Sequence, residues 1–311
     1  GALIFKDGCA SYYGTFANGY FEGLGILCDD TSASKTASND CNNTTIYIGE
    51  WLAGLRHGEG MEMNDGCVYK GTFVNGKRDG KGTLFLDKKK LKSSSSSSGP
   101  TILYSGEWYD DKYHGEGVWM DHHLDALENS TRNPKGIIRW EGNFAAGKKH
   151  GYGVLTDETE NMEWKGTWHD DNPMNGKWRI SYADGGIYSG EAEIVDNTEA
   201  LEEGSSPSKV ALNANTIPAI PEGFGTFQYP NGDIYVGNFE QGVRSGIGSC
   251  HFASGERWEG TWSNDALDNK FGYGVLTKAD GRVLEFNGVS SIGKLFSCKD
   301  CSSEADIIAL K

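Results

Sequence analysis

The sequence predicts an all-β repeat protein, and three observations support this prediction. Glycine supplies 44 of the 311 residues, about twice its usual share. Proline is scarce, with 7 residues, while aromatic side chains make up 12% of the chain. A short pattern of an aromatic residue, glycine and a second aromatic residue recurs along most of the length. Glycine at this density disfavours long helices, and the recurring aromatics provide a surface that stacked strands can bury.

The first strand of each predicted unit follows the pattern Tyr-x-Gly-x-Trp. Tyr47, Gly49 and Trp51 show it, and because residues two apart on a strand share a face, all three are expected on one side of a sheet. Matching strands start at Tyr12, Tyr47, Tyr69, Tyr104, Trp140, Trp164, Tyr188, Tyr235 and Trp258. The repeat signature is clearest at Tyr47, Gly49, Trp51, Gly58, Gly60, Tyr104, Gly106, Trp108, Gly115, Gly117, Tyr235, Gly237 and Phe239.

The second strand of each unit opens with two glycines, such as Gly58 and Gly60. The residue two places after the second glycine is apolar in most units, and Glu62 is an exception. Each hairpin is therefore predicted to have one apolar, glycine-dotted face and one polar face. A glycine between two aromatics leaves a notch, across which a ring from a neighbouring strand is expected to lie.

Two kinds of turn connect these strands. Pairs such as Asp184-Gly185 and Asn231-Gly232 stand between consecutive units, where tight hairpin turns favour them. Inside the units, the turn is marked by a glycine such as Gly54, or by a residue such as Asp111 that tolerates left-handed geometry. Stacked hairpins of this kind predict an elongated antiparallel meander, a single twisted sheet without a globular core.

The array is predicted to cover residues 1–288, with a unit length of about 23 residues and a non-repetitive tail at 289–311. The ends hold partial repeats at 1–8 and 284–288, and we expect the array to begin upstream of Gly1. Ala192 and Trp178 depart from the pattern, which suggests a bend or break in repeats six and seven. Polar insertions are predicted at 28–45, 88–100, 122–138 and 195–220.

These residues resemble the MORN repeat (membrane occupation and recognition nexus), patterned Tyr-x-Gly-x-Trp-x-x-Gly-x-x-x-Gly-x-Gly. The segment from Tyr47 to Gly60 matches every specified position, and the resemblance covers roughly residues 1–288. It implies a scaffold module for protein–protein contact, self-association, and cytoskeletal, cortical or membrane attachment. It also implies that such arrays serve as regulatory or targeting segments fused to lipid kinases or histone methyltransferases.

The candidate chemical groups favour a non-enzymatic chain without a catalytic, cofactor-binding or metal site. His57, His114 and His150 occupy the same position in three units, so they are expected in separate hairpins rather than in one site. Cys298 and Cys301 form a lone Cys-x-x-Cys pair, which would need a partner chain to complete a zinc site.

The charge balance disfavours nucleic acid as a partner, since the formal net charge is -15. Seven scattered cysteines are typical of reduced thiols in a cytoplasmic protein, located at a membrane's cytoplasmic face or at the cell cortex in one interpretation. One basic cluster precedes six serines and predicts a weak contact with phospholipid or another anionic partner. The cluster comprises Lys88, Lys89, Lys90 and Lys92.

Three functions remain open from the sequence. The first is a non-enzymatic scaffold that binds proteins, self-associates, or organises a membrane- or cytoskeleton-associated complex. The second is a regulatory or targeting segment of a larger enzyme, of the phosphatidylinositol phosphate kinase or histone-lysine methyltransferase type, with its catalytic domain outside this chain. The third is direct phospholipid binding.

Overall fold

The computed structural model describes residues 1–5, 10–30, 44–64, 66–86, 101–121, 137–195, 219–267 and 273–287. The chain divides into two compact units, Gly1–Gly151 and Tyr152–Lys311. Within the described ranges every regular element is a β-strand, which confirms the predicted all-β class. None of these residues forms a helix with the length and apolar character of a membrane span. The lysine cluster, the Cys298–Cys301 pair, the tail and most of each insertion lie outside the described residues.

The first unit is a single-layer antiparallel meander in which consecutive strands pair. The pairing includes β1, so the predicted partial repeat at the N-terminus forms a strand. Its strands are β1 (Ala2–Ile4), β2 (Ala10–Ala17), β3 (Tyr20–Asp30), β4 (Thr44–Leu52), β5 (Leu55–Asn64), β6 (Cys67–Val74), β7 (Lys77–Leu86), β8 (Thr101–Tyr109), β9 (Lys112–Asp121), β10 (Ile138–Ala145) and β11 (Lys148–Asp157), inside which the division falls.

The second unit has the same antiparallel order. Two-residue strands β13 and β20 pair with the strand before them, and the main ladder then continues through β14 and β21. The strands are β12 (Met162–His169), β13 (Asn172–Pro173), β14 (Gly176–Ser181), β15 (Ile187–Ile194), β16 (Ala219–Gln228), β17 (Ile234–Glu240), β18 (Val243–His251), β19 (Arg257–Ser263), β20 (Ala266–Leu267), β21 (Tyr273–Thr277) and β22 (Val283–Asn287).

The predicted break at repeats six and seven is wrong. Strand pairing is uninterrupted through β12, β14, β15, β16 and β17. It has one register shift, between Gly190 and Ala192, in the pairing of β15 with β16. The strands also extend into the ends of the predicted insertions, since β3 ends at Asp30 and β16 begins at Ala219. The described strands of the irregular repeats thus stay paired, with an adjusted register.

The signature glycines form one line across the strands. In the first unit Gly49 pairs with Gly25 on one side and Gly60 on the other. The same line continues through Gly71, Gly82, Gly106, Gly117 and Gly142. The first glycine of each second strand has another role: Gly58 has φ 58°, next to the register shift between Gly49 and Glu50. Gly58 therefore permits a bulge, whereas Gly60 leaves room above the sheet.

The turns inside the hairpins have the predicted left-handed geometry. Ala53 and Gly54 have φ of 50° and 84°, and Asp110 and Asp111 have φ of 52° and 65°. Two consecutive residues with positive φ define a type I′ turn, whose twist matches that of the flanking strands. Aspartate at the second position substitutes for glycine because its side chain tolerates this conformation.

Candidate interaction surface

In six of the nine repeats the core is a tyrosine that lies flat on the glycine line, whereas the repeats that start at Trp140, Trp164 and Trp258 have tryptophan at this position. A Cβ atom built on Gly60 would lie 2.5 Å from the Tyr47 Oη and 2.6 Å from its Cε2. Tyr47 is only 1% exposed, and its hydroxyl donates a 2.9 Å hydrogen bond to the carbonyl oxygen of Glu50. The ring thus belongs to the same strand as the first glycine, whereas the sequence predicted a ring from a neighbouring strand.

The same hydrogen bond, from a tyrosine hydroxyl to the carbonyl three residues later, recurs in five further repeats. It therefore specifies the tyrosine hydroxyl, which phenylalanine lacks. The donors are Tyr12, Tyr69, Tyr104, Tyr188 and Tyr235, and their acceptors are Thr15, Thr72, Glu107, Glu191 and Asn238.

Edge-to-face ring contacts join one repeat to the next. The Tyr47 ring centroid lies 5.1 Å from that of Trp51 and 5.0 Å from that of Phe73, at interplanar angles of 88° and 84°. Tyr69 bridges Phe73 and Trp108 in the same manner. Tyr47 and Tyr69 are therefore each held by an aromatic ring from their own hairpin and one from the following hairpin, which makes the stability of a repeat depend on its neighbour.

A planar side chain covers the outer surface of these tyrosines, at a position that the sequence did not indicate. Phe21 stacks on Tyr12 with centroids 3.8 Å apart, and Tyr113 stacks on Tyr104 at 3.9 Å. In three other repeats the same position, two residues before the bulge glycine, holds an arginine above the tyrosine ring. These arginines are Arg56, Arg78 and Arg244. Phenylalanine, tyrosine and arginine all have planar side-chain groups but belong to different residue classes, so their common stacking role is not evident from the sequence pattern.

Glu62, the exception among the apolar positions, is buried beside Arg56 and Arg78. Its side chain is 8% exposed, and it forms ion pairs with Arg56 and, at 2.7 Å, with the Nη2 of Arg78. Arg78 also donates from its Nε to the Glu62 Oε2 at 3.0 Å. Arg56 and Arg78 at the stacking position thus provide the paired donors that the buried carboxylate of Glu62 needs.

Burial also raises the pKa of the stacked tyrosines. The pKa of Tyr47 rises from 10.0 to about 12, chiefly because burial disfavours the charged phenolate, although the nearby Arg56 opposes the shift. Burial likewise raises the pKa of Tyr69, Tyr104 and Tyr188 well above the ordinary value. These phenols are structural donors, and their protonated form is part of the fold.

Repeat six fills its notch in a different way. A Cβ on Gly166 would lie 2.4 Å from the indole ring of Trp178, which replaces the second signature glycine. Trp178 is 3% exposed and donates from its Nε1 to the carbonyl of Met174 at 2.9 Å. Here a ring from the neighbouring strand does cover the glycine, so the departure at Trp178 preserves the packing.

Acidic side chains connect successive hairpins at the turns. The Glu22 carboxylate accepts a 3.0 Å hydrogen bond from the backbone N–H of Ala53 in the next hairpin. Asp111 acts in the opposite direction, since its Oδ1 accepts the N–H of Arg78 in the preceding hairpin at 2.9 Å. The predicted turn aspartates thus have a second role besides tolerating positive φ.

The histidines of the first unit lie in different strands, as their spacing predicted. His57 is on β5, opposite Glu50 of the neighbouring strand, and His114 is on β9, opposite Glu107. His150 is on β11. Their position is part of the repeat and belongs to the bulge region of each hairpin.

The face opposite the aromatic residues is apolar across β2 to β5, which corrects the prediction of a polar face for these strands. From β6 onward the same row is largely polar, with Lys70 opposite Met61 and Thr83 opposite Lys70. Tyr13, Ile26, Ile48 and Met61 pair in direct succession across β2 to β5. Tyr13 is 49% exposed, Ile26 39% and Ile48 37%. A second row runs beside them through Ile46 and Met63, which also pair directly. We call these six residues, Tyr13, Ile26, Ile48, Met61, Ile46 and Met63, the apolar strip.

Carboxylates border this apolar strip on the side of the bulges. Glu50 follows Ile48 by two residues and Glu59 precedes Met61 by two, so both share its face. Both side chains are exposed, as are those of Glu107 and Glu116 in the same row further along, although Lys81 interrupts the row. In the second unit the equivalent row, Val236, Ser249, Glu259 and Val275, mixes polar and apolar residues.

Within each unit the signature residues therefore come together on one packed face, whereas the lysines of the predicted anionic contact lie outside the described residues. That contact stays a prediction. The sequence shows that Ile46 and Ile48 alternate along one strand and Met61 and Met63 along the next. Only the pairing register shows that these residues are neighbours and form one strip.

This architecture defines a hairpin-repeat interaction module, with a self-filled aromatic face and an exposed second face. The family model for the MORN repeat matches eight segments of the chain, and the chain belongs to the MORN-repeat family. The matched residues are 12–31, 47–68, 69–86, 104–120, 140–162, 220–234, 235–257 and 258–281. The first strands beginning at Trp164 and Tyr188 fall between matched segments, in agreement with the departures at Trp178 and Ala192.

Comparisons with curated proteins give two kinds of relative. Alsin from Rattus norvegicus is 29% identical over 217 residues, and Alsin from Homo sapiens is 27% identical over the same length. Each match covers 65% of this chain but only 13% of Alsin. MORN repeat-containing protein 3 from Xenopus laevis is 39% identical over 79 residues, which are 24% of this chain and 30% of that protein.

Proposed function

We propose that this chain is a non-enzymatic scaffold that binds partner proteins on the exposed second face of its first unit. One observation supports this function best: the apolar strip is continuous, with Tyr13, Ile26 and Ile48 exposed and the other three residues half-buried, on a chain with a net charge of -15. Exposed apolar patches of this kind typically mark interaction sites in otherwise polar proteins. The aromatic face is closed by its own side chains, so the surface that is left for partners is the second face.

Affinity purification of the intact protein tests this function. Wild-type protein and a variant with Ile26→Thr and Ile48→Thr are compared, with quantitative mass spectrometry of the bound proteins. The scaffold proposal predicts a reproducible set of partners that the double variant loses. Ile247→Thr is the matched control, since Ile247 is 61% exposed in the second unit. A partner set that is identical for all three proteins would refute binding on this face.

A second function, a regulatory or targeting segment of a larger enzyme, is favoured by the length of Alsin. The matched part is 13% of Alsin, so in that protein a segment like this one is a small portion of a longer chain. A kinase or methyltransferase domain would then lie outside the present residues. Sequencing the full-length reading frame decides between the two functions, because a catalytic domain would be evident there.

A third function, phospholipid binding, depends on the lysine cluster and would place the scaffold at a membrane. Four lysines contribute about 1 kcal/mol each near an anionic surface, so attachment would be weak and sensitive to salt. Liposome sedimentation with and without phosphoinositide, at two salt concentrations, tests it. If the amount of pelleted protein depends neither on lipid composition nor on salt concentration, phospholipid binding is refuted.

A further inference from the structure

We propose that the apolar strip binds one basic amphipathic α-helix of a partner protein, which lies across strands β2 to β5. The inference rests on the proposed scaffold function and adds the chemistry of the partner. Three features of the surface carry it: the dimensions of the strip, the charge beside it, and the absence of charged side chains from the strip itself.

The dimensions fit one helix. Neighbouring strands lie about 4.8 Å apart, so the row from Tyr13 to Met61 spans about 15 Å, or about 20 Å with Ala2, which pairs with Tyr13 on β1. The two rows of the strip are about 7 Å apart, since they are two residues apart along each strand. A helix about 10 Å wide, with about 13 residues at 1.5 Å each, covers this area.

The same dimensions disfavour a second copy of this chain. A stable dimer buries about 800 Å² on each partner, while the strip offers a footprint of about 200 Å². Two copies would also bring Glu50 and Glu59 of one chain towards the same residues of the other. An anionic membrane meets the same repulsion, so neither of these occupants suits the surface.

The charge specifies the polar side of the helix. Glu50 and Glu59 stand exposed beside Ile48 and Met61, so a helix with leucine-like residues on one face and lysine or arginine at its border pairs with them. The apolar face of such a helix covers the isoleucines, and its basic residues reach the carboxylates. The apolar contact provides affinity, and the charges select basic over acidic helices.

The test measures binding of model peptides to the full chain by fluorescence anisotropy at physiological salt. The probe is an 18-residue helical peptide with leucine on one face and lysine on the other. A peptide of the same composition in scrambled order and a leucine–glutamate version are the controls. We expect the leucine–lysine helix to bind at least about tenfold more tightly than either control, a factor that corresponds to about 1.4 kcal/mol.

Variants locate the site. Ile26→Thr with Ile48→Thr is expected to weaken binding of the leucine–lysine helix about tenfold, and Glu59→Lys several-fold. Ile247→Thr and Glu285→Lys make the same chemical changes on the second unit and are expected to leave binding unchanged. Circular dichroism of each variant checks that the sheet is intact, and hydrogen exchange is expected to show protection around residues 46–50 when the peptide binds.

Several results would overturn the inference. Equal binding of the scrambled peptide would mean that charge alone attracts it, and unaltered binding to the isoleucine variant would place the site elsewhere. Association with phosphatidylserine vesicles, or self-association in sedimentation, that is abolished by the isoleucine variant would assign the strip to the other occupants. If the peptide shows no binding while affinity purification still recovers partners that the Ile26→Thr, Ile48→Thr variant loses, the scaffold function is supported and only the proposal of a helical partner is wrong.

Discussion

Substitution of Gly60 by alanine tests the packing of tyrosine on the glycine line. The new Cβ would lie 2.5 Å from the Tyr47 Oη, 2.6 Å from Cε2 and 2.7 Å from Cζ, which are distances that no side chain tolerates. The ring has little room to move, because Trp51 and Phe73 hold its edges and Arg56 lies over its outer surface. Gly60→Ala must therefore displace the ring or separate the strands.

The cost follows from what Tyr47 loses. Removing its ring from a buried site costs about 2–3 kcal/mol, and the lost hydrogen bond to Glu50 adds about 1 kcal/mol. Alanine recovers about 0.5–1 kcal/mol relative to glycine in a strand. We expect a net loss of about 2–3 kcal/mol in the free energy of unfolding, measured by urea denaturation followed by circular dichroism.

A double-mutant cycle isolates the contact from other effects of alanine. In the background of Tyr47→Leu, which lacks the ring atoms that clash, Gly60→Ala is expected to be neutral or slightly stabilising. The two substitutions should then couple by about 2–3 kcal/mol. If Gly60→Ala has the same cost with and without the Tyr47 ring, the proposed role of the glycine line is refuted.

Three further predictions concern the first unit. Glu62→Ala is expected to lower the free energy of unfolding in urea by about 2–3 kcal/mol, because Arg56 and Arg78 lose their carboxylate partner. The triple variant Glu62→Leu, Arg56→Phe and Arg78→Tyr replaces the ion pairs with apolar contacts and should keep near-wild-type stability. An equal loss of stability in the triple variant would contradict this prediction. Asp111→Ala is expected to cost about 1–2 kcal/mol and to speed hydrogen exchange at the Arg78 amide, while Asp111→Asn keeps the acceptor and should match wild type. Since burial raises the folded-state pKa of Tyr47 from 10.0 to about 12, its contribution to stability is complete below pH 10 and is lost as pH rises through 12. The part of the tyrosinate absorbance that comes from the buried tyrosines should therefore appear together with loss of the circular dichroism signal, and ionisation of all tyrosines in a still-folded chain would argue against this linkage.

The hairpin repeat itself was predictable, because it depends on local sequence. Tyr47, Gly49 and Trp51 share a face by the alternation of a strand, and the φ preferences of Gly54 and Asp111 mark the turns. These properties hold for each hairpin without knowledge of its neighbours. The all-β class, the two kinds of turn and the family resemblance followed from them.

The stacking position was less accessible from the sequence. Phe21 and Arg56 belong to different residue classes, and their common role depends on the flat surface that each presents to a tyrosine ring. The predicted break failed for a related reason. Trp178 looked like a lost glycine, although its indole ring replaces the tyrosine that covers the notch elsewhere.

Which residues of a hairpin point to the same side could be read from the sequence alone, because that alternation is a property of the extended backbone. Which side chains are neighbours across the strands depends on the pairing register, which is known only from the folded chain. The pairing register brings Ile26 against Ile48, and Ile48 against Met61, so that scattered apolar residues become one exposed strip. The same register aligns the glycines into a line that a tyrosine from the same strand can cover, since the ring's direction depends on side-chain packing and not on sequence spacing.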